Sequence, residues 1–223
     1  MKKSLLLLLV LALALGVYTL LPKTGRQAET RRVEGLPWQI EALPQGTSRV
    51  FGITLGESTL GEVRQRLGED MDLAIIVRSD DDRALEMYYK YYTAGLFKGK
   101  LVIVADLPDD ILSQMLQRSP GGEYMKSGAR KFRVAPGDLR LAWEAPVSSI
   151  TFLPSSRLDR ETARARFGNP EETIKDGETV THLLYPAKGL DLIMDRKGKT
   201  VLQYVAPRDF ERLRAPLLAP RGG

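Results

Sequence analysis

Gly56-Glu57-Ser58-Thr59-Leu60 comes within one residue of a nucleophile elbow, the tight strand-to-helix turn that presents a reactive serine. Its fifth position is Leu60, where that turn requires glycine, and nothing marks the only histidine, His182, as the base for Ser58. Ser58 reads instead as a helix-start residue whose hydroxyl caps a free amide. Gly198-Lys199-Thr200 ends like a phosphate-binding loop, but the glycine required five residues earlier is Ile193. Its flanks alternate like two strands around a turn, so it reads as a hairpin. Asp80, Asp81 and Asp82 lack the oxygen donor and glycine of a calcium loop, since Ala84 and Leu85 occupy those places. They read as a solvated turn.

Two sets of residues keep an open choice. His182 alternates with Val180 and Leu184 on one strand face, where a histidine is either a packed structural residue or a ligand or base. Arg64, Arg66, Arg164 and Arg166 fall in the last turns of two helices, where positive charge complements the helix dipole, or else binds an anion. The stretch ALEMYYKYYT carries the candidate partner-binding residues. Strand alternation assigns Leu85, Met87, Tyr89 and Tyr91 to the core, and Glu86, Tyr88, Lys90 and Tyr92 to the opposite face. Two tyrosines among charges have the composition of a recognition surface, while cross-strand aromatic pairing is the simpler reading. No catalytic set, cofactor site or metal site emerges from these residues.

Composition narrows the class further. The chain has 223 residues, 43% hydrophobic and 27% charged, with no cysteine and a formal charge of +5. That balance is ordinary globular material. The absence of cysteine removes disulfides, a thiol nucleophile and Cys-based zinc sites. Acids interleave with bases throughout, so a nucleic-acid partner is not expected.

The elements that must position these residues begin after an apolar N-terminus. Lys2 and Lys3 precede an apolar run over 5–21, at the short end of the roughly 17–25 residues that span a bilayer. Residues 1–22 are therefore expected to form an inner-membrane anchor. A cleaved secretory signal, cut after Ala12-Leu13-Ala14, is the alternative. Either way the remainder is expected to face the periplasm or exterior. Residues 23–48, punctuated by Pro37, Pro44 and Gly46, read as a tether.

From 49 onward an order repeats. Thr59 with Glu62 forms a capping box, Leu60, Val63 and Leu67 make one apolar stripe, and Gly68 closes the helix. Three strand-like segments follow, DLAIIVR, ALEMYYKYYT and KLVIVADL, and then a helix begins at Pro108. At a shift of 100, Arg64, Arg66 and Gly68 recur as Arg164, Arg166 and Gly168; at a shift of 99, Lys98-Gly99-Lys100 recurs as Lys197-Gly198-Lys199. The fold expected is α/β (α+β): two tandem helix–three-strand–helix units with antiparallel sheets, at 49–118 and 148–215. A Gly/Pro-rich connector lies at 119–147, with short strands around Phe132 and Leu141, and a tail at 216–223.

FGITLGESTLGEVRQRLG, and more fully LDRETARARFGNPEETIKDGETVTHLLYPAKGLDLIMDRKGKTV, resemble the SmpA/OmlA family, the small lipoproteins of the outer-membrane β-barrel assembly machine. The wider fold group is that of β-lactamase inhibitory protein. The residues carrying the resemblance are Phe167-Gly168-Asn169-Pro170, Tyr185, Gly189-Leu190 and Asp195-Arg196-Lys197-Gly198. The chain departs from those lipoproteins in having no acylated cysteine and two copies of the pattern. The resemblance implies a helix-on-sheet module that binds other proteins without catalysis. The expected function is a non-enzymatic interaction or assembly module of the cell envelope, with an unidentified envelope protein as partner. A small carboxylate-dependent hydrolase, or a lipid or small-ligand carrier, is the alternative.

Overall fold

Thr59 opens a helix with the reciprocal cap its sequence predicts: its hydroxyl accepts the Glu62 amide at 3.2 Å, and the Glu62 carboxylate accepts the Thr59 amide at 2.9 Å. The computed structural model describes residues 35–95 and 97–219. This first helix, α1 (Leu60–Leu67), is followed by α2 (Asp109–Gln117), α3 (Leu139–Glu144), α4 (Arg160–Phe167) and α5 (Glu211–Leu218). None exceeds nine residues. Helices this short are marginal alone and form by packing an apolar stripe against something larger.

That larger object is a sheet. Ten strands pair antiparallel in the order β10-β11-β12-β13-β9-β6-β5-β4-β8-β7. In chain order they are β4 (Asp72–Ser79), β5 (Asp82–Ala94), β6 (Phe97–Ala105), β7 (Gly122–Tyr124), β8 (Arg130–Arg133), β9 (Val147–Pro154), β10 (Glu172–Asp176), β11 (Val180–Tyr185), β12 (Leu190–Asp195) and β13 (Thr200–Val205). A small sheet of β1 (Glu41–Leu43), β2 (Thr47–Val50) and β3 (Ile53–Thr54) stands apart from it.

The expected α+β pair of helix–three-strand–helix units is therefore corrected. The protein is mostly β, with one sheet running through both halves. β9, at the start of the expected second unit and outside its helix–three-strand–helix order, is a central strand that pairs with β13 on one side and β6 on the other. The connector contributes β7 and β8 to the sheet edge, and Leu141 lies in α3. Within residues 41–50, assigned largely to a tether, Glu41–Leu43 and Thr47–Val50 form β1 and β2 around a 3-10 turn at Pro44–Gly46. Nor are the two Lys-Gly-Lys phrases equivalent. Gly99 lies inside β6, where a Cβ would come within 2.5 Å of the Leu153 carbonyl, whereas Gly198 turns the β12–β13 hairpin at φ 92°.

What does repeat is a helix ended by glycine and locked by tyrosine. Gly68 and Gly168 end α1 and α4 with φ of 95° and 85°, which glycine adopts without steric cost. The Tyr89 hydroxyl donates to the Gly68 carbonyl at 3.0 Å, and the Tyr185 hydroxyl donates to the Gly168 carbonyl at 3.1 Å. β4, β5, β6 and β9 follow α1 in the sheet as β10, β11, β12 and β13 follow α4, and the two sets meet where β9 pairs with β13.

One face of the sheet is covered. Leu85, Met87, Leu101, Ile103, Ile150, Phe152, Leu192 and Leu202 point into a core closed by Leu60 and Val63 of α1, Leu112 and Met115 of α2, Ala163 and Phe167 of α4, and Val50, Phe51 and Ile53 of the small sheet. Each such Leu, Ile, Val, Met or Phe side chain contributes roughly 1.5–3 kcal/mol on burial. The segment before β1 is fastened to the same core: the buried Tyr204 hydroxyl donates to the Pro37 carbonyl at 2.9 Å. Trp38 sits edge-on to Phe97, ring centroids 4.7 Å apart, with the Arg166 guanidinium 4.7 Å from its ring centre.

The transmembrane expectation is also corrected: among the described residues no helix is long and apolar enough to cross a membrane. The stretch 1–22 on which that expectation rests lies outside the described residues.

Candidate interaction face

Among the described residues, the opposite face of the sheet is covered at its two sides. On one side α5 lies over β10, β11 and β13, packing Phe210, Leu213 and Leu217 against Ile174, Leu184 and Val205. Arg214 holds it there through Glu172 of β10, Nε to Oε2 2.8 Å. On the other side Ala129, just before β8, closes over Ala74 and Ile76 of β4. Between these walls a single cross-strand row reads Tyr88, Val102, Thr151 and Gln203, on β5, β6, β9 and β13 in turn. All four are half-buried. Lys100, Leu153, Val201 and Ile193 lie on the same face by strand alternation. Sheets solvated on one face normally alternate apolar-in with polar-out. Here the outer row mixes aliphatic, hydroxyl, amide and phenol groups.

The structure divides the four residues proposed for partner binding. Tyr88 is half-buried on the open face. Glu86 lies on that face too, its carboxylate paired with Arg78. Lys90 is fully exposed, its ammonium 5.1 Å from the ring centre of Tyr91, and the hydrogen bond to Tyr91 raises its pKa. Tyr92 is on the other side. The β5–β6 register slips between Tyr89 and Tyr92, a β-bulge that reverses the alternation beyond it. Tyr92 consequently packs edge-on to Phe51 and Phe152, at 5.6 and 6.1 Å between centroids, and burial pushes its phenol up to about 12. Tyr91, assigned to the core by alternation, is 74% exposed.

Other candidate residues have local partners. The Ser58 Oγ accepts the Thr54 amide at 3.1 Å. It lines an open depression of about 960 Å³ beside α1, in which Arg49 and Arg66 are balanced by Glu41 and Glu62. Arg49 is already engaged by Glu41 and by the Thr54 hydroxyl. Arg64 pairs with Glu69 at 2.5 Å and lies over Trp143, so two of the four helix-end arginines, Arg64 and Arg166, stack on tryptophans. Asp82 pairs with Arg78, and the Asp80 carbonyl accepts from Arg83. Among the described residues no cluster of three or more His, Asp or Glu side chains could hold a metal ion.

His182 has a partner that sequence reading missed. Its Nδ1 lies 2.7 Å from Asp191 Oδ2 on the neighbouring strand, and its Nε2 is 4.0 Å from Asp176 Oδ2. His182 is 6% and Asp191 1% exposed. The signal available was Asp191 itself, a carboxylate inside the otherwise apolar strand LDLIM, which burial tolerates only with a partner.

A scan against protein-family models finds no matching family, and searches of curated proteins and of solved structures find no match. The class that fold and face define is a mostly antiparallel β protein whose large sheet is covered by short helices on one face and, among the described residues, open through the middle of the other.

Proposed function

We propose that this protein is a non-enzymatic interaction module of the cell envelope, facing the periplasm or exterior, that binds a protein partner on the open face of its ten-stranded sheet. One observation carries the reading: the row Tyr88–Val102–Thr151–Gln203 is half-buried without a described helix laid over it, between walls made by α5 and Ala129. Such a row offers aromatic and aliphatic contact area on a rigid backbone, with Thr and Gln to fix orientation, and little entropy is lost when it is covered. The resemblance of the α4–β13 stretch to envelope assembly lipoproteins supports the same class, and the lysine-flanked apolar run at 2–21 supports the compartment.

The test is site-specific photo-cross-linking in the full chain. A photoreactive residue at Val102 or Gln203 is expected to give discrete protein adducts, and one at Ala165, on the exposed side of α4, is expected to give none. Thr151→Arg, which projects a charge from the middle of the row, is expected to abolish the adducts while leaving the urea midpoint within error. Adducts at Ala165 alone, or none at either face position, would overturn the reading.

A further inference from the structure

The two Lys-Gly-Lys phrases are not structural equivalents, yet the topology brings both to the same place. Lys98 and Lys100 alternate with the buried Gly99 on β6, so both project from the open face. Thr200 at the start of β13 is buried on the core side, where its hydroxyl accepts the Leu158 amide, so Lys199 projects from the open face as well. β9 runs between β6 and β13 and separates them, which sets Lys98 and Lys199 roughly 9–10 Å apart across two strand spacings. The Ser155 amide donates to the Lys98 carbonyl at 2.8 Å, fixing the end of β9 between the two lysines.

All three lysines are exposed, and none of them forms an ion pair among the described residues. Lys90 adds a fourth ammonium at the bulge of β5. Set against them on this end are Asp195, opposite Lys199 in the β12–β13 hairpin, and Asp176, two strands further along the same cross-strand row; one Asp195 oxygen is engaged by the Lys197 amide at 3.0 Å. Directly inward come the aliphatic side chains Leu153, Val201 and Ile193, each half-buried. Exposed cations bordering a half-covered aliphatic strip complement a partner that alternates acidic and aliphatic groups.

We infer that this end of the open face docks an acidic protein segment, with Lys98, Lys100 and Lys199 receiving its carboxylates and Leu153, Val201 and Ile193 its aliphatic side chains. The inference rests on the interaction reading above and names the chemistry of its partner. A protein segment fits better than an anionic bilayer because α5, packed over Ile174 and Leu184, borders the strip on its β10–β11 side, a raised edge that a narrow chain can lie against and a flat surface must bridge.

The test uses the full chain and a fluorescent nine-residue peptide of alternating glutamate and valine, followed by anisotropy at low and high salt. Binding is expected at low salt and is expected to weaken steeply at high salt, since exposed charges are screened. Lys98→Glu with Lys199→Glu is expected to lower affinity at least tenfold. A charge-matched control away from the face, Lys126→Glu with Lys175→Glu, is expected to change it less than twofold. Equal losses in both pairs, no peptide binding, or binding only to vesicles containing phosphatidylglycerol would each overturn the inference. The Val102 cross-link separates the two levels of the argument: adducts that persist unchanged in the Lys98→Glu, Lys199→Glu chain defeat the acidic partner and leave the interaction reading intact. Absence of adducts in the unsubstituted chain defeats both.

Discussion

His182 Nδ1 lies 2.7 Å from Asp191 Oδ2, and the second carboxylate oxygen, Oδ1, is buried with no hydrogen-bond partner among the described residues. A buried pair of this kind is weak evidence for stability in itself, because desolvating two polar groups offsets their attraction. Breaking it is a different matter. His182→Ala leaves a carboxylate 1% exposed without its partner and is expected to cost about 3–5 kcal/mol. The double replacement His182→Leu with Asp191→Leu fills similar volume and removes both polar groups, and is expected to cost far less than either single change. Urea unfolding of the three variants measures this. A double-mutant cost equal to the sum of the singles would show that the two residues do not act as a pair.

Alkaline pH is expected to weaken the fold through its buried phenols. Burial raises the pKa of Tyr204 well above its ordinary value, and pushes Tyr92 up to about 12. In the unfolded chain both titrate near 10. Between pH 10 and 12 the unfolded state therefore binds fewer protons than the native state, and stability falls as pH rises. Below pH 10 both phenols are protonated in either state and the contribution is complete. The slope is roughly 1.4 kcal/mol per pH unit for each tyrosine held protonated only by the fold. Urea midpoints at pH 8, 10 and 11 read it directly. Tyr204→Phe is expected to flatten the slope above pH 10 while lowering stability at pH 8, since the Pro37 carbonyl loses its donor.

What the sequence disclosed follows the range of the interactions involved. The cap at Thr59 and the glycine ends at Gly68 and Gly168 are contacts within a helical turn or two, and each lies where the residues indicate. Strand pairing is not local. Glu172–Asp176 carries too few apolar residues to look like a strand, yet β11 supplies five consecutive partners for it. The central place of β9 was not legible because nothing in VSSITFLP says that strands from both halves of the chain will flank it. The echo of Lys-Gly-Lys misled for the same reason: one copy is a strand interior and the other a turn, and only the long-range register distinguishes them. Asp191 was readable as an anomaly, but its partner, nine residues earlier, required the β11–β12 register.

The bulge in β5 gives the sharpest test of the face assignment, because it exchanges the roles of two adjacent tyrosines. Unbroken alternation predicts that Tyr92 is a tolerant surface residue and Tyr91 a core one. The register slip between Tyr89 and Tyr92 predicts the reverse. Tyr92→Ala removes a ring packed on Phe51 and Phe152 and is expected to cost about 3–5 kcal/mol. Tyr91→Ala, at a position 74% exposed, is expected to change stability by about 0.5 kcal/mol or less. Tyr88→Ala, before the bulge on the open face, is expected to leave the fold in place and to reduce cross-linking from Val102, its cross-strand neighbour. The separation matters for binding as well as for folding. A partner that covers Tyr88 meets Lys90 and Tyr91 where the bulge turns them outward, so Tyr91→Ala is expected to weaken capture as Tyr88→Ala does. Loss of capture through Tyr92→Ala would accompany unfolding. If Tyr92→Ala folds with an unchanged urea midpoint while Tyr91→Ala does not, the bulge is misplaced, and the partner-facing side of β5 is the one that simple alternation gives.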